Sequence, residues 1–349
     1  MANGRYILFV AALAIQAAPA WALDDAKVAR DGSALTVSWT AKKPVDVYVA
    51  DRADAAPAAA QLVSRADGDG TFTMADAGTT RRYFVLREAG QKGVVRTAER
   101  LVPLEKGSNF RDIGGYAAAG GKHVRWGLIY RSGATPLLTD TDVAKVRELG
   151  LTDMIDLRSS EERVIAPTRI TGIRYSAVNY SMLTMMGDRR ALTNGSALYH
   201  NFPAFLAPQL RIVFDDLLRK RGPIAYNCSA GQDRTGFATA MVLSALGVPR
   251  ATIIADYHLS TAYRRPENEL PPIDDAMVKT SPVAGMFAGL QKSPMAKVAQ
   301  PLKEADGTPY LAGAFAEIDH NWGSVEAYLD KEVGVTKGDL ALLRTTYLE

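Results

Sequence analysis

Cys228, Asp233 and Arg234 stand within one short run, NCSAGQDRTG, and Cys228 is the chain's one cysteine. A thiolate is a strong nucleophile, and without a second cysteine it has no disulfide partner within the chain. Ser229, Ala230 and Gly231 are small, so their backbone N–H groups can close around a single anion. Arg234 follows the cysteine by six positions and offers a planar fork that matches two oxygens of a phosphate. Gln232, Thr235 and Gly236 complete the set of candidate phosphate-binding residues around the catalytic candidates Cys228, Arg234 and Asp233. The chemistry that fits is in-line attack of sulfur on phosphorus, with amides and arginine taking the charge on the equatorial oxygens.

The flanking elements must hold this loop. PIAYN reads as a short apolar strand ending at Asn227, and TGFATAMVLSALG as an apolar helix that starts near Arg234 or Thr235 and stops at Gly247. A helix N-terminus behind the loop adds unpaired N–H groups and the positive end of the dipole, which favour phosphate and thiolate alike. Upstream, TDTDVAKVRELG gives an amphipathic helix through Val143, Val146 and Leu149, stopped by Gly150. TDMIDLRS and GIRYSAVN read as strands. PQLRIVFDDLLRKRG puts Pro208 at a first helical position and Leu210, Val213, Phe214, Leu217 and Leu218 on one face. Strands alternating with helices predict an α/β domain over residues 105–349, with a mainly parallel central sheet flanked by helices. Three short helices are expected after Pro309, while residues 265–308 carry no clear pattern.

Ahead of it, residues 23–104 are short and alternating: ALTVSWT, VDVYVA, GTFTM, RRYFVLRE and GVVRTAERLV, separated by turn clusters. That spacing predicts a small all-β sandwich, similar to the fibronectin-type-III-like modules appended to secreted enzymes. Residues 1–22 carry Arg5, an apolar run and the small-residue pattern Ala20-Trp21-Ala22. This is the layout of a cleavable secretory signal, and it predicts a periplasmic or secreted protein with no membrane anchor after cleavage. A net charge of +3 over 349 residues argues against a nucleic-acid partner. His123, His200, His258 and His320 lack ligand-like spacing, so neither metal nor cofactor is expected.

With the strand, loop and helix in place, residues 228–235, CSAGQDRT, resemble the phosphate loop of protein tyrosine phosphatases. NFRDIGGY at 109–116, LIYRSG at 128–133 and DLRSSEE at 156–162 narrow this to the atypical bacterial branch, and IIADYHLS and WGSVEAYLDKEVGV point the same way. The resemblance implies a cysteinyl-phosphate intermediate and a phosphorylated protein, small molecule or lipid head group as substrate. Phosphotyrosine leads, with dual specificity as an extension. It implies Asp233 as general acid, with Asp112 and Asp156 in reserve. A structural reading instead pairs Asp233 with Arg111, Arg131 or Arg158. Arg111, Asp112 and Asp156 are expected to brace the loop from behind, and Thr235 to donate to the sulfur. Residues 181–207, with Arg189-Arg190, are expected to form a helical lid.

Two positions depart from the branch. Asn227 stands where a histidine usually precedes the cysteine, and Gln232 where a lysine usually suits multiply phosphorylated head groups. The latter weakens the case for phosphoinositides and phytate. A sulfurtransferase has a shorter loop, and an arsenate reductase needs further thiols. A phosphate-binding module led by the β-rich front is the non-enzymatic alternative.

Overall fold

The computed structural model describes residues 23–78, 80–183 and 195–349. Seven strands build the front of the chain: β1 (Leu23–Asp31), β2 (Ala34–Ala41), β3 (Val45–Ala50), β4 (Gln61–Asp67), β5 (Thr71–Met74), β6 (Tyr83–Glu88) and β7 (Val95–Ala98). They form two antiparallel sheets, ordered β1-β2-β5 and β4-β3-β6-β7. Alternation along β2 turns Leu35, Val37 and Trp39 inward, where they meet Val45, Val47 and Val49 of β3 and Phe84 and Leu86 of β6. Each sheet thus buries one face against a shared apolar cluster. The edge strands β1 and β4 carry several polar residues, which explains why periodicity left them indistinct.

The rest is an α/β unit around a five-stranded sheet of β8 (Arg111–Asp112), β9 (Ile129–Ser132), β10 (Asp153–Asp156), β11 (Arg174–Ala177) and β12 (Ile224–Asn227). The order is β11-β10-β12-β9-β8, parallel except for the antiparallel β8–β9 edge. Both faces are covered. On one, Ile129, Ile155, Ile224 and Tyr226 face the helices Ala207–Arg219, Arg234–Ala245, Leu311–Asn321 and Lys337–Tyr347. On the other, Tyr130, Met154 and Ala225 face Val143 and Val146 of the helix Asp140–Glu148. The helix Arg234–Ala245 buries every residue except Ser244, so its N-terminus is fixed at the C-terminal end of the central strand β12. The unpatterned stretch after Arg265 contains the helices Asp275–Thr280 and Pro282–Lys292.

The two units are joined by buried polar contacts. Arg81 donates to Asp112 Oδ2 at 2.9 Å, to the hydroxyls of Tyr130 at 2.7 Å and Tyr83 at 2.9 Å, and to the Glu99 carbonyl at 2.8 Å. Trp126 donates through Nε1 to the Arg96 carbonyl and packs on Tyr83 and Ala98. Asp112 also accepts the N–H groups of Gly114 and Gly127. Expected behind the phosphate loop, Asp112 instead faces the front unit, because β8 alternates its side chains and turns only Arg111 toward the loop scaffold.

Candidate active site

The loop begins where β12 ends at Asn227 and finishes where the helix Arg234–Ala245 begins. Its carbonyls are tied outward. Ser229 O accepts the Ala134 N–H at 2.9 Å, Ala230 O accepts Asn109 Nδ2 at 3.2 Å, and Gly231 O accepts both Asn109 Nδ2 at 2.7 Å and Arg131 at 2.8 Å. Among the described residues nothing takes the N–H groups of Ser229, Ala230, Gly231, Gln232 or Asp233. With the oxygens outward and the amides unclaimed, the loop is a ring of donors around the buried Cys228. Gly231 is required twice over: its φ is +63°, and a Cβ there would lie 2.5 Å from the backbone of Ser132 and Gly133.

Arg234 is set by Glu162. The guanidinium donates to both carboxylate oxygens at 2.7 Å and to the Tyr180 hydroxyl at 2.6 Å. Glu162 is itself fixed as the third residue of a capping box, accepting the Ser159 N–H at 2.8 Å, and it also accepts the Ser229 hydroxyl at 2.5 Å. Burial pushes its carboxyl up, but the Arg234 charge and these donors outweigh that and hold it at about 2. Arg234, Arg264 and Arg131 all lie within electrostatic reach of Cys228.

A second tier lies beneath. Asp256 accepts from Arg111 at 3.2 Å, Arg131 at 2.7 Å and the Tyr116 hydroxyl at 2.9 Å. Its burial opposes charge, yet Arg111 and Arg131 hold its carboxyl well below the usual range. Arg111 also bonds Asn109, whose backbone is left-handed at φ +56° and whose amide carries the two loop carbonyls. Arg111 therefore reaches the loop through Asn109.

Other expectations need correction. Asp156 does not touch the loop: its carboxylate takes Arg158 and the Tyr175 hydroxyl, and so shapes the turn after β10. Asp112 and Asp156 are both fully buried in these pairings, which removes them as reserve acids. The Gly236 N–H is spent on the Gln232 carbonyl at 3.0 Å because the first helical turn claims it. The Thr235 hydroxyl is buried without a partner among the described residues, so the expected bond to the sulfur is not formed. Asp233 pairs with none of Arg111, Arg131 and Arg158. Its Oδ1 accepts the Tyr199 hydroxyl at 2.7 Å and Gln232 Nε2 at 3.3 Å. Tyr199 belongs to the segment expected as a lid, where it packs on Phe202 and accepts the Tyr257 hydroxyl. Residues 184–194, with Arg189 and Arg190, lie outside the described residues. Beside Ser229 and Ala230 opens a cavity of about 450 Å³ lined largely by apolar side chains, among them Ile165, Phe287 and Leu290.

Asn109, Arg131, Glu162 and Asp256 were missed as site residues although each lies inside a stretch already singled out by resemblance. Their roles depend on pairings across 72 to 145 residues of sequence, for which no spacing rule exists.

A tyrosine phosphatase family model matches residues 102–349. A Cupriavidus necator protein provisionally named a tyrosine-protein phosphatase is 34% identical over 256 residues, covering 69% of this chain and 86% of that protein. The triple specificity protein phosphatase PtpB of Mycobacterium tuberculosis is 27% identical over 281 residues, covering 69% of this chain and 96% of its own. TpbA of P. aeruginosa, solved with phosphotyrosine, is 14% identical and matches 39% of this chain and 71% of its own at a TM-score of 0.24, a superposition too loose to carry an argument. The donor ring around Cys228 and a family match over most of the chain lead to one conclusion: this protein belongs to the tyrosine phosphatase family.

Proposed function

We propose that the chain hydrolyses phosphotyrosine, with dual specificity as an extension, through a cysteinyl-phosphate at Cys228. The observation that carries this is the loop with carbonyls tied outward and amides unclaimed among the described residues, around a buried cysteine and closed by an arginine held in place by Glu162. In the first step a lone pair of Cys228 Sγ forms the S–P bond while the bond from phosphorus to the tyrosyl oxygen breaks. Asp233 passes its proton to that oxygen. Both described donors converge on Asp233 Oδ1, leaving Oδ2 as the atom that carries the proton. In the second step water attacks phosphorus, Asp233 takes the water's proton, and phosphate and thiolate separate. The amides and Arg234 hold the equatorial oxygens throughout, which supplies most of the stabilisation.

Phosphotyrosine is favoured over polyphosphorylated head groups by charge. Around the loop Arg234 is matched by Glu162 and Arg264 by Glu269, while Arg111 and Arg131 share Asp256, so four cations meet three carboxylates and little positive charge is left for a second phosphate. The apolar cavity beside Ser229 also suits a substrate with one charged end. Export directed by residues 1–22, and an accessory role for the fibronectin-type-III-like front, belong to the same reading.

The test is phosphate release from phosphotyrosine peptides by wild type and by Cys228→Ser. Release by the wild type alone, with a phosphoenzyme trapped on acid quench, supports the reading. No release from any phosphomonoester across acid to neutral pH would leave only a phosphate-binding module. Cell fractionation with and without residues 1–22 tests export.

A further inference from the structure

Gln232 sits in the loop between Gly231 and Asp233, with its amide between two partners. On one side Arg264 Nη1 lies 2.7 Å from Gln232 Oε1; on the other Gln232 Nε2 lies 3.3 Å from Asp233 Oδ1. The two ends of a glutamine amide have the same shape, so its partners decide which way it faces. A guanidinium can only donate. Arg264 therefore fixes the oxygen toward itself, and the NH2 group must face Asp233. Without that contact the oxygen end has no anchor, and the flexible glutamine side chain can swing its NH2 group away from Asp233.

Arg264 is well placed to impose this. Its Nε and Nη2 donate to both oxygens of Glu269 at 3.0 and 2.8 Å. Glu269 also accepts the Ser108 hydroxyl at 2.7 Å, and the Ser108 carbonyl accepts the Gly133 N–H at 2.8 Å. Gly133 in turn abuts the backbone of Ser229 and Ala230. The guanidinium is thus referenced to the same backbone that carries the catalytic loop. On the far side Tyr199, oriented by the Tyr257 hydroxyl at 2.7 Å, donates to the same Asp233 oxygen. Two donors on Oδ1 define where the carboxyl points, and neither occupies Oδ2.

We infer that Arg264 is a positioning residue for the general acid: it locks the Gln232 amide, which holds Asp233 with Oδ2, unclaimed among the described residues, to deliver the proton. This rests on the reading of Asp233 as the acid. The step served is the transfer of that proton to the ester oxygen as the P–O bond breaks and the S–P bond forms.

Such a role has a signature that loss of folding does not. A leaving phenolate as basic as tyrosine, with a pKa of about 10, needs the proton, whereas the weakly basic p-nitrophenolate leaves nearly as well without it. The measured quantity is kcat/KM on phosphotyrosine divided by that on p-nitrophenyl phosphate. Asp233→Asn is expected to lower this ratio about 100-fold, since a positioned acid contributes about 10²–10⁴. Arg264→Met is expected to lower it about 10-fold, with Arg264→Lys, which keeps a donor, close to wild type. Gln232→Met leaves the Arg264–Glu269 pair intact and is expected to match Arg264→Met. It decides the matter if Arg264→Met does not fold. The proposal is overturned if Asp233→Asn lowers the ratio while Arg264→Met and Gln232→Met reduce both rates equally. An unchanged ratio in Asp233→Asn removes the acid itself, and the proposal with it.

Discussion

Glu162 holds both terminal nitrogens of Arg234 at 2.7 Å while its backbone lies in the first turn of the helix Ser160–Ile165. One carboxylate thereby closes a helix cap, receives the Ser229 hydroxyl and aims the phosphate-binding guanidinium. A long flexible side chain so constrained has given up its rotamer freedom before substrate arrives, which is the condition for preorganised stabilisation.

Replacing Glu162 with Gln removes the charge and one of the two matched acceptors. The expected result is a fall in kcat of about 10 to 100-fold on phosphotyrosine, with KM also raised because phosphate binding uses the same arginine. Steady-state kinetics check this. An unchanged kcat would separate Glu162 from the chemistry.

The pH dependence of stability follows from the same residue. Its folded carboxyl titrates at about 2, below the ordinary 4.5, so the contribution is full above about pH 4.5 and is lost as pH falls toward 2. That difference is worth up to about 3 kcal/mol. Urea unfolding of wild type and Glu162→Gln is expected to show a stability gap at pH 6 that narrows by pH 3. A gap that stays constant would contradict the assignment.

Gly231→Ala places a methyl 2.5 Å from the Ser132 and Gly133 backbone in a residue at φ +63°. Neither neighbour can move without displacing β9. Activity is expected to fall by more than about 100-fold, with about 2 kcal/mol or more of lost stability. Thermal unfolding and phosphatase assays measure the two effects.

Arg81→Ala leaves Asp112 buried with its charge uncompensated at the joint between the two units. A loss of about 3–5 kcal/mol is expected. Arg81→Ala combined with Asp112→Asn is expected to recover part of it, because both charges are then gone. A double-mutant cycle by urea denaturation supplies the coupling. Simple additivity would show that the pair does not hold the units together.

Gln232→Lys puts a positive charge into the loop, but the new ammonium would confront Arg264. Its gain on phosphoinositides over phosphotyrosine is therefore expected only when Arg264 is also replaced by Ala. A gain of equal size in the single variant would show that Arg264 does not oppose the lysine.

Much was legible locally. The strand ending at Asn227, the helix starting at Arg234 and the small-residue loop between them follow from apolar runs and residue size over some twenty positions. Residue chemistry and the six-position spacing marked Cys228 and Arg234, and the alternation of strands with helices predicted the parallel sheet. The assignments that missed were carboxylates. Asp112 beside Arg111 and Asp156 at a strand end were both expected to brace the loop, yet Asp112 turns to Arg81 of the front unit and Asp156 to Arg158, two positions on. Glu162, Asp256 and Asn109 lie in stretches that carry the family resemblance, but their work is done against residues more than seventy positions away.

The sequence by itself determined the chemistry available: one thiol, an arginine six positions on, and glycines where backbone must approach backbone. Tertiary structure decided which charge answers which. Arg234 went to Glu162, Arg111 and Arg131 to Asp256, Arg264 to Glu269 and Gln232, and Arg81 to Asp112. The physical reason is that burying an ion requires a geometrically matched partner, and that match depends on where the folded chain brings the second side chain rather than on sequence spacing.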